Sequence, residues 1–535
     1  MKVLDHFSVE KYPRISDVVD YWAIEKAEKV CIQEVDGREC TYAQLKKEVD
    51  SLAAGLHALG ISKGSPVLTM MENGLACVEA WLAINKLGAI DVPVHTAYKG
   101  YFIKHIINTC EAKYMFVNDR HLETVIDSLD ETSHLKVIVV GNDVVEKNRI
   151  PANLEIFYFN DIKIPNSTVP AVTCSPDDIG NVLFTSGTKS GTQGLILTYR
   201  QLRNTNINGI DRMKLTDNDV SYVCFPMSHG NGKFSSVGTF LLLGATSVIL
   251  EKFSASRWIY DVHKYQITYT SLMGPMAEFV YKQPPTEFDH NNNLRVILNI
   301  PRNSEFTPKF EKRFGVACIE VYGQAGVSAP ITSPIGKHQN YASCGTLVED
   351  SYDARLVSPE TGKDVGIGET GELWVRPKKE GLISPGYFND EESYQLAWSG
   401  EWFMTGDLMR VDEYGYYYYM GRSGDFIRRR GENVSVKEVE MIIKSISHVL
   451  DVAVIGVSTE FITGEDDVMA VIEGEGIDIS TLIERCEKEL PAFSIPRYWL
   501  IAKLPRLPDQ TIDKQLIRKR GVTPDTFELK KQGGK

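Results

Sequence analysis

The sequence contains no Cys-X-X-Cys pair, no long apolar run and no excess of positive charge. Its nine cysteines are scattered and odd in number, which argues against a disulfide framework and against a structural zinc site. No uninterrupted apolar stretch approaches the roughly 20 residues that a membrane-spanning helix needs. The opening residues, MKVLDHFSVEKYPR, lack the apolar segment of a signal peptide. We therefore expect a reduced, cytoplasmic protein with no membrane span.

Acidic residues outnumber basic ones, with 71 Asp and Glu against 58 Lys and Arg and a formal net charge of −13. Such a balance gives no dominant positive field, which a general nucleic-acid-binding protein needs. Two short basic runs, Arg428–Arg430 and Lys514–Arg520, interrupt this pattern. Runs of this kind usually form solvated faces, but beside a ligand that carries phosphate they would contribute to its binding.

A chain of 535 residues exceeds what one hydrophobic core can organise, so at least two domains are expected. In the N-terminal third, helical and strand patterns alternate. Thr41 can cap a helix whose apolar residues recur every three or four positions, and a strand, Pro66–Met70, follows. This alternation predicts parallel βαβ units with helices on the sheet faces. The polar, proline-containing stretch Asn142–Pro176 is expected to be a surface excursion.

The pattern changes twice further along the chain. From Ala342 short β segments separated by turns predict a small β subdomain, and after Gly421 a compact α+β unit follows. The sequence therefore predicts an α/β fold: a large N-terminal domain, residues 1–422, of βαβ subdomains plus the small β subdomain, followed by an α+β C-terminal domain, residues 423–535.

Residues 184–194, Phe-Thr-Ser-Gly-Thr-Lys-Ser-Gly-Thr-Gln-Gly, form the most informative segment. Three glycines and five hydroxyl residues in eleven positions predict a loop whose backbone N–H groups and hydroxyls surround phosphate oxygens. It is not a Walker A loop, because no Gly-Lys-Ser/Thr triplet occurs and the following run, Leu195–Thr198, is strand-like. A flexible hairpin loop without a ligand is the alternative.

Further motifs follow this loop in a fixed order along the chain. They are Tyr322-Gly323, Trp402–Asp407, Gly421-Arg422 and Arg430–Val434. In this order they resemble the superfamily of AMP-forming acyl-CoA synthetases, luciferases and nonribosomal-peptide adenylation enzymes, from Thr41 to Arg518. Within that superfamily the chain looks closest to carnitine/crotonobetaine-type and short- to medium-chain acyl-CoA ligases.

The resemblance implies one nucleotide pocket assembled from separate stretches of chain. The nucleotide-binding residues that it implies are Thr185, Ser186, Gly187, Thr188, Gly191, Gly194, Tyr322, Gly323, Asp407 and Arg422. Asp407, after a tight Thr-Gly turn, would accept hydrogen bonds from both ribose hydroxyls. Arg422 would donate to the same ribose, and Tyr322 would stack on adenine. The structural alternatives are a turn-capping aspartate, a salt-bridged arginine and a core tyrosine.

The resemblance also implies the chemistry. A carboxylate attacks the α-phosphate of ATP to give acyl-AMP and pyrophosphate; the C-terminal domain then rotates as a mobile lid, about a hinge at Ser423-Gly424, and the thiol of CoA attacks the acyl group. His229 would line the acyl pocket, or else be structural. Gly431 would let the pantetheine arm of CoA pass. Thr188 and Lys514 complete the predicted catalytic set.

Three positions depart from the family pattern. Relatives carry Lys where this chain has Gln193, a Mg²⁺-binding Glu where it has Gly326, and a late catalytic Lys where it has Thr511. At about 4 Å and an effective dielectric constant of 20, each missing unit charge forgoes roughly 4 kcal/mol of attraction before desolvation. Lys189 and Lys514 are candidates to compensate. No metal ligand is predicted from the protein, although Mg²⁺ can be held largely by phosphates and water.

Two functions of different classes therefore stand open. The first is ATP-dependent activation of a carboxylic acid and its transfer to CoA, or to an amine or carrier acceptor. The second is a degenerate homologue that binds nucleotide or acyl-CoA without adenylation. An ATP-dependent condensation on a non-acyl substrate is a third reading.

Overall fold

The computed structural model describes ten stretches of the chain, and for residues 186, 422, 426, 433 and 515 it describes the backbone only. The stretches are 6–129, 134–141, 150–186, 192–333, 335, 340–422, 426–430, 432–458, 465–506 and 512–529. In these stretches the chain forms four sheets of four or more strands, with helices packed on three of them, and a separate two-stranded hairpin. The predicted α/β class, with a large N-terminal domain and a smaller C-terminal one, is confirmed.

The first sheet has seven strands in the order β7-β6-β5-β3-β4-β8-β9, parallel except for the antiparallel β8–β9 hairpin. Its strands are β3 (Pro66–Met70), β4 (Ile90–Pro93), β5 (Tyr114–Val117), β6 (Val137–Val140), β7 (Glu155–Tyr158), β8 (Ile179–Ser186) and β9 (Thr192–Thr198). The helix Tyr42–Ala58 precedes β3, and the helices Leu75–Lys86, Gly100–Cys110 and Asp119–Asp127 lie between later strands. The expectation for the stretch 142–176 is wrong in part, because it contains β7, the edge strand of this sheet.

A second seven-stranded sheet has the order β14-β13-β12-β10-β11-β1-β2. Its strands are β1 (Val30–Glu34), β2 (Glu39–Thr41), β10 (Val220–Val223), β11 (Thr246–Ile249), β12 (Tyr269–Met273), β13 (Val296–Ile300) and β14 (Ala317–Ile319). Its helices are Ile15–Glu25, Tyr199–Met213, Asn231–Gly238 (a π-helix), Thr239–Leu243, Trp258–Lys264, Gly274–Tyr281, Glu287–Asp289 (a 3₁₀ turn) and Thr307–Phe314. The largest buried cluster of apolar side chains lies between the two sheets.

The predicted β subdomain is an eight-stranded antiparallel sheet, β15-β16-β17-β22-β21-β19-β18, with β20 paired to β21. Its strands are β15 (Val321–Gln324), β16 (Ser328–Thr332), β17 (Gly345–Leu347), β18 (Tyr352–Val357), β19 (Thr370–Pro377), β20 (Trp398–Ser399), β21 (Trp402–Val411) and β22 (Tyr416–Arg422), and one helix, Glu391–Gln395, precedes β20. The sheet packs one face onto its own apolar cluster, which includes Val327, Leu373 and Met409.

The C-terminal region contains the hairpin β23 (Phe426–Arg429) and β24 (Glu432–Ser435) and a four-stranded sheet. The remaining elements are β25 (Val449–Ser458), β26 (Asp466–Gly474), β27 (Tyr498–Ile501) and β28 (Phe527–Glu528), with helices Val436–Lys444, Ile479–Glu489 and Lys514–Arg520. Phe102, from the N-terminal domain, belongs to the core of this region and is 5% exposed. The boundary predicted between residues 422 and 423 adjoins residues 423–425, which lie outside the described residues, and it stays a prediction.

Local sequence signals account for individual elements. The helix Tyr42–Ala58 begins at Thr41 as predicted: the Thr41 hydroxyl accepts from the Gln44 N–H, and the Gln44 side chain accepts from the Thr41 N–H. It ends before Gly60, whose φ of 92° favours glycine. In the part of the chain that the structure describes, no helix has both the length and the apolar character needed to cross a bilayer.

Candidate functional site

Asp407 is the centre of the candidate nucleotide pocket. Its carboxylate is buried, 3% exposed, and Oδ2 accepts hydrogen bonds from the Tyr322 hydroxyl at 2.7 Å and from the Gln324 amide at 2.6 Å. The Gln324 amide also donates to the Thr405 carbonyl at 2.8 Å, which holds its orientation. Charge-assisted bonds of this kind are strong and directional, so the carboxylate has one fixed orientation.

The backbone around Asp407 differs from the expected turn. The strand β21 continues through Thr405 and Gly406, and Gly406, with a φ of 75°, provides a local kink within it. A turn-capping role for Asp407 is therefore wrong. Antiparallel pairing of β21 with β22 places Asp407 directly opposite Arg422. The two residues that the resemblance assigned to one ribose are thus neighbours across two adjacent strands.

The glycine-rich segment forms the β8–β9 hairpin, in which Thr185 lies opposite Gln193. The residues at its tip, Gly187, Thr188, Lys189, Ser190 and Gly191, lie outside the described residues. Gly194 has a packing reason to be glycine, because an added Cβ would come within 2.9 Å of Val182 and 3.0 Å of Phe184. The assignments of Thr185, Ser186 and Gly194 to nucleotide binding stay predictions.

The hairpin meets the other motifs through Gly326. A Cβ added at Gly326 would lie 3.7 Å from Leu195 in β9 and 3.9 Å from Phe403 in β21. Gly326 is two residues beyond Gln324, which binds Asp407. Residues distant in the sequence, from β9, the turn after β15 and β21, therefore converge in one region.

Tyr322 and Gly323 have different structural roles. The Tyr322 ring is 9% exposed and lies 6.4 Å from the ring of Tyr419, with its hydroxyl on Asp407. A Cβ added at Gly323 would be 2.0 Å from the carbonyl oxygen of Ser328, so glycine is required there. Stacking of Tyr322 on adenine stays a prediction.

His229 lies at a cleft between the N- and C-terminal domains. Its backbone N–H donates to the Pro226 carbonyl at 3.0 Å, and its Nδ1 accepts from the Asn231 N–H at 3.1 Å. Because a nitrogen that accepts a hydrogen bond carries no proton, the proton of the neutral His229 ring is on Nε2, which acts as a donor. The side chain reaches solvent, yet the protein around it displaces enough water to lower its pKa, against the opposing effect of Glu432.

Glu432 extends from the C-terminal domain into the same cleft and lies 3.5 Å from His95. Desolvation in the cleft raises its pKa, but His95, His229 and Arg428 outweigh this effect and leave the pKa below its ordinary value. The neighbouring Gly431 lies outside the described residues. Glu432, the first residue of β24, therefore lies near both His95 and His229, and the passage of the pantetheine arm at Gly431 stays a prediction.

Lys514 lies on another side of the C-terminal domain. Its Nζ is 3.0 Å from Glu440, and the same carboxylate accepts from the Val454 N–H at 2.7 Å. Glu440 is two residues after Glu438, so the two side chains are about 200° apart around the helix Val436–Lys444. Because Glu438 faces the β8–β9 hairpin, Lys514 lies on the side of the helix turned away from it. Its catalytic role stays a prediction, and Thr511 lies outside the described residues.

Sequence reasoning missed several contacts at this site. Gln324, beside the Tyr322-Gly323 motif, had a recognisable position but no reason from sequence to reach Asp407. His95, Glu432 and Glu438 act across the domain junction, and no local pattern announces such contacts. Within the described residues no group of three His, Cys, Asp or Glu side chains is arranged to hold a metal ion.

Residues 19–388 match the family model described as "AMP-binding enzyme", which covers more than half of the chain. The protein therefore belongs to the AMP-binding enzyme family. Among curated relatives, the crotonobetaine/carnitine–CoA ligases of Salmonella agona and Salmonella typhi are each 28% identical over 482 residues, covering 88% of this chain and 91% of theirs. The predicted superfamily is confirmed.

Solved structures match the fold over nearly the whole chain. The anthranilate CoA ligase AuaEII, in complex with anthranoyl-AMP, has a TM-score of 0.71 at 23% identity and covers 97% of this chain and 98% of its own. The o-succinylbenzoate CoA synthetase of Bacillus subtilis has a TM-score of 0.76 at 19% identity, covering 94% and 98%. At this identity the likeness establishes the fold alone.

Proposed function

We propose that this protein is an AMP-forming acid–thiol ligase. A carboxylate oxygen bonds to the α-phosphorus of ATP as the bond to pyrophosphate breaks, which gives acyl-AMP. The sulfur of CoA then bonds to the acyl carbon, AMP leaves, and the thiol proton is released. The observation that carries the proposal is the fixed Asp407 carboxylate, held by Tyr322 and Gln324 and opposite Arg422. Gly326, two residues beyond Gln324, lies against Leu195 of the β8–β9 hairpin.

The described residues suit a nucleotide. A carboxylate has about four lone-pair sites, so beside its bonds to Tyr322 and Gln324 it can accept from ribose hydroxyls, and Arg422 on the adjacent strand can donate to the same sugar. The site fits a protein-held Mg²⁺ poorly, because the position at which relatives place a Glu is Gly326, and its nearest neighbours are the apolar side chains of Leu195 and Phe403. Mg²⁺ would enter with ATP, bound by phosphate oxygens and water.

The cleft that contains His229, His95 and Glu432 suits the acyl group and the thiol arm of CoA. In the observed orientation of the C-terminal domain, Glu432 faces the cleft and Lys514 does not. This supports the interpretation that the observed orientation is the one used for thioester formation. Adenylation would then use a second orientation, in which Lys514 approaches the α-phosphate. CoA is favoured over an amine or a carrier protein as acceptor, because the curated relatives are CoA ligases by name.

The carboxylic acid substrate is best searched for among the acid classes that appear in the names of the similar proteins. A panel would contain carnitine- and crotonobetaine-type trimethylammonio acids, short- and medium-chain fatty acids, and aromatic acids such as anthranilate. Pyrophosphate release is measured for each acid with and without CoA, and acyl-CoA is identified by mass spectrometry. The proposal expects pyrophosphate release and acyl-CoA with at least one acid class. ATP binding without turnover of any acid would overturn it.

The non-catalytic alternative rests on the departures at Gln193, Gly326 and Thr511. Curated relatives that are ligases by name favour the enzyme over this alternative. The same assay separates the two, because a non-catalytic homologue would be stabilised by ATP or acyl-CoA in a thermal unfolding experiment and would release no pyrophosphate.

A further inference from the structure

Among the described residues of the glycine-rich hairpin, Thr192, the first residue of β9, is hydrogen-bonded to the C-terminal domain. The Thr192 N–H donates to Glu438 Oε1 at 2.7 Å, and the Thr192 carbonyl lies 2.8 Å from His105 Nε2. Since a carbonyl oxygen can only accept, that ring nitrogen of His105 carries its proton. Thr192 is 3% exposed and Glu438 is 4% exposed. Both backbone groups of Thr192 are therefore occupied, one of them by an acidic side chain from the other domain.

Glu438 is held firmly in this position. It lies in the first turn of the helix Val436–Lys444, where its own N–H donates to the capping hydroxyl of Ser435. Burial raises the pKa of Glu438, while the bonds from Thr192 and the nearby His105 oppose that rise. Burying an ionised side chain costs free energy. Because Glu438 is buried against a backbone N–H of the glycine-rich hairpin, we expect its charge to have a function.

We propose that Glu438 and the β,γ-phosphates of ATP, or free pyrophosphate, compete for the exit of the β8–β9 hairpin at Thr192. The inference rests on the proposed function and assigns Glu438 as a positioning residue for it. Glycine-rich hairpins hold phosphate through backbone N–H groups. Here the backbone N–H of Thr192, the first residue of β9, already donates to the carboxylate of Glu438. Two anions at one donor repel each other. The domain arrangement described here and a bound pyrophosphate group therefore exclude each other.

This competition would order the two half-reactions. While pyrophosphate is bound, Glu438 cannot dock on Thr192, and the domain orientation with Glu432 facing His229 is disfavoured. After pyrophosphate leaves, Glu438 docks and AMP or acyl-AMP is retained. Linkage requires reciprocity: docking weakens pyrophosphate binding by the same factor by which pyrophosphate weakens docking.

Hydrogen exchange with mass spectrometry tests the first half of this statement on the wild-type protein. The Tyr101 N–H donates to Glu489 across the domain junction at 2.9 Å, and it reports docking one helical turn away from His105. We expect ATP or inorganic pyrophosphate to accelerate exchange in peptides covering Tyr101 and Thr192 by about tenfold, and AMP to leave it unchanged. Nucleotide or pyrophosphate binding with unchanged exchange would overturn the inference.

The second half is tested by calorimetric titration of inorganic pyrophosphate. Glu438→Gln keeps an oxygen that accepts from Thr192 but removes the charge, so pyrophosphate should bind about tenfold more tightly. Glu484→Gln is the matched control, because it removes an exposed helix charge of the same domain, paired with Lys488, and its affinity should stay within twofold of wild type. Equal affinities in wild type and Glu438→Gln would refute the competition.

These measurements need no carboxylic acid, so their outcome tests the role of Glu438 independently of the proposed ligase activity. Pyrophosphate and ATP that bind without disturbing docking refute the role of Glu438 and leave the ligase proposal intact. A protein that binds neither refutes both. The comparison of pyrophosphate with AMP on the wild-type protein also stands if Glu438→Gln does not fold.

Discussion

Single side chains decide whether the candidate pocket holds a nucleotide, and Asp407 is the sharpest case. Its carboxylate is fixed by two donors before any ligand arrives, so little reorganisation would accompany binding of a ribose. Such preorganisation distinguishes it from the many surface carboxylates of this acidic chain.

Asp407→Asn should raise the KM for ATP or lower kcat/KM by 10- to 100-fold, since bonds to a charged group contribute roughly 1.5–3 kcal/mol. Asp412→Asn is a suitable control. Asp412 also accepts a tyrosine hydroxyl, from Tyr418 at 2.7 Å, but it lies in the turn between β21 and β22. Steady-state kinetics with varied ATP measure the effect. Equal losses in the two variants would contradict a ribose-binding role for Asp407.

Gly326 tests the charge argument from the sequence. A side chain fits there, because an added Cβ would find its nearest neighbours at ordinary contact distances of 3.7–3.9 Å. Gly326→Glu combined with Thr511→Lys should raise the rate of pyrophosphate release by about tenfold or more, since about 1.4 kcal/mol corresponds to each factor of ten. Gly326→Gln with Thr511→Met, which adds similar volume without charge, is the control. A gain in both variants would show that charge is not the cause.

At the scale of elements, β15 and the turn after it position the site. Together they carry Tyr322, Gly323, Gln324 and Gly326 within five residues. Gly323 packs against the backbone of Ser328, Gln324 reaches Asp407, and Gly326 faces Leu195. A short segment thus joins the β subdomain to the β8–β9 hairpin.

Gly323→Ala should destabilise the protein by about 3 kcal/mol, the upper end for overpacking, because its methyl group would lie 2.0 Å from a backbone oxygen that cannot rotate away. Gly326→Ala, three residues further along the chain, should change the free energy of unfolding by less than about 1 kcal/mol. Urea denaturation of both variants measures the difference. Similar stabilities would mean that the turn relaxes around the methyl group.

Glu320, just before β15, is expected to make the stability of the folded protein depend on pH. Burial raises its pKa to about 7, although Arg302 at 3.6 Å favours the ionised form. Because the folded state holds this proton more tightly than the unfolded state, its contribution is present below the unfolded pKa and is lost as the pH rises through 7. From pH 5 to pH 8 this loss should be roughly 2–3 kcal/mol.

Urea denaturation at pH 5 and pH 8 checks this expectation. Glu320→Gln carries no titrating carboxyl group at this position, so its stability should change less over the same interval. The difference between the two proteins isolates Glu320 from other titrating groups. If the free energy of unfolding changed equally between pH 5 and pH 8 in the wild-type protein and in Glu320→Gln, the assignment would be contradicted.

At the scale of the whole molecule, the two domains share apolar and polar contacts. Phe102 inserts into the core of the C-terminal domain, and three carboxylates, Glu432, Glu438 and Glu489, reach across the junction. A ligase that alternates between two domain orientations must break these contacts in every cycle.

Phe102→Ala should weaken the docked orientation, because a large aromatic side chain leaves a shared core. We expect acyl transfer to CoA to slow by about tenfold in single-turnover experiments, while pyrophosphate release in the first half-reaction stays within about twofold. Phe527→Ala, at a 45% exposed position of the C-terminal sheet, is the control. If both half-reactions slowed equally, Phe102 would be a general stability residue.

The sequence by itself determined the fold class, the order of motifs and several local elements. Thr41 begins its helix as predicted because capping depends on residues within one turn. Edge strand β7 escaped prediction because an edge strand is half exposed and tolerates the polar composition of a loop. Asp407 was assigned to the pocket by its motif, but a local Thr-Gly pattern wrongly indicated a turn, since only pairing with β19 and β22 keeps that stretch extended.

Only the tertiary structure decided which groups meet. Gln324 on Asp407, Glu438 on Thr192 and Glu432 beside His95 join residues that are 83, 246 and more than 300 positions apart. No local pattern encodes such pairs, because each depends on how whole sheets and domains pack. Motifs record which residue types a chemistry needs, whereas the packing of domains decides which of them face one another at a given step.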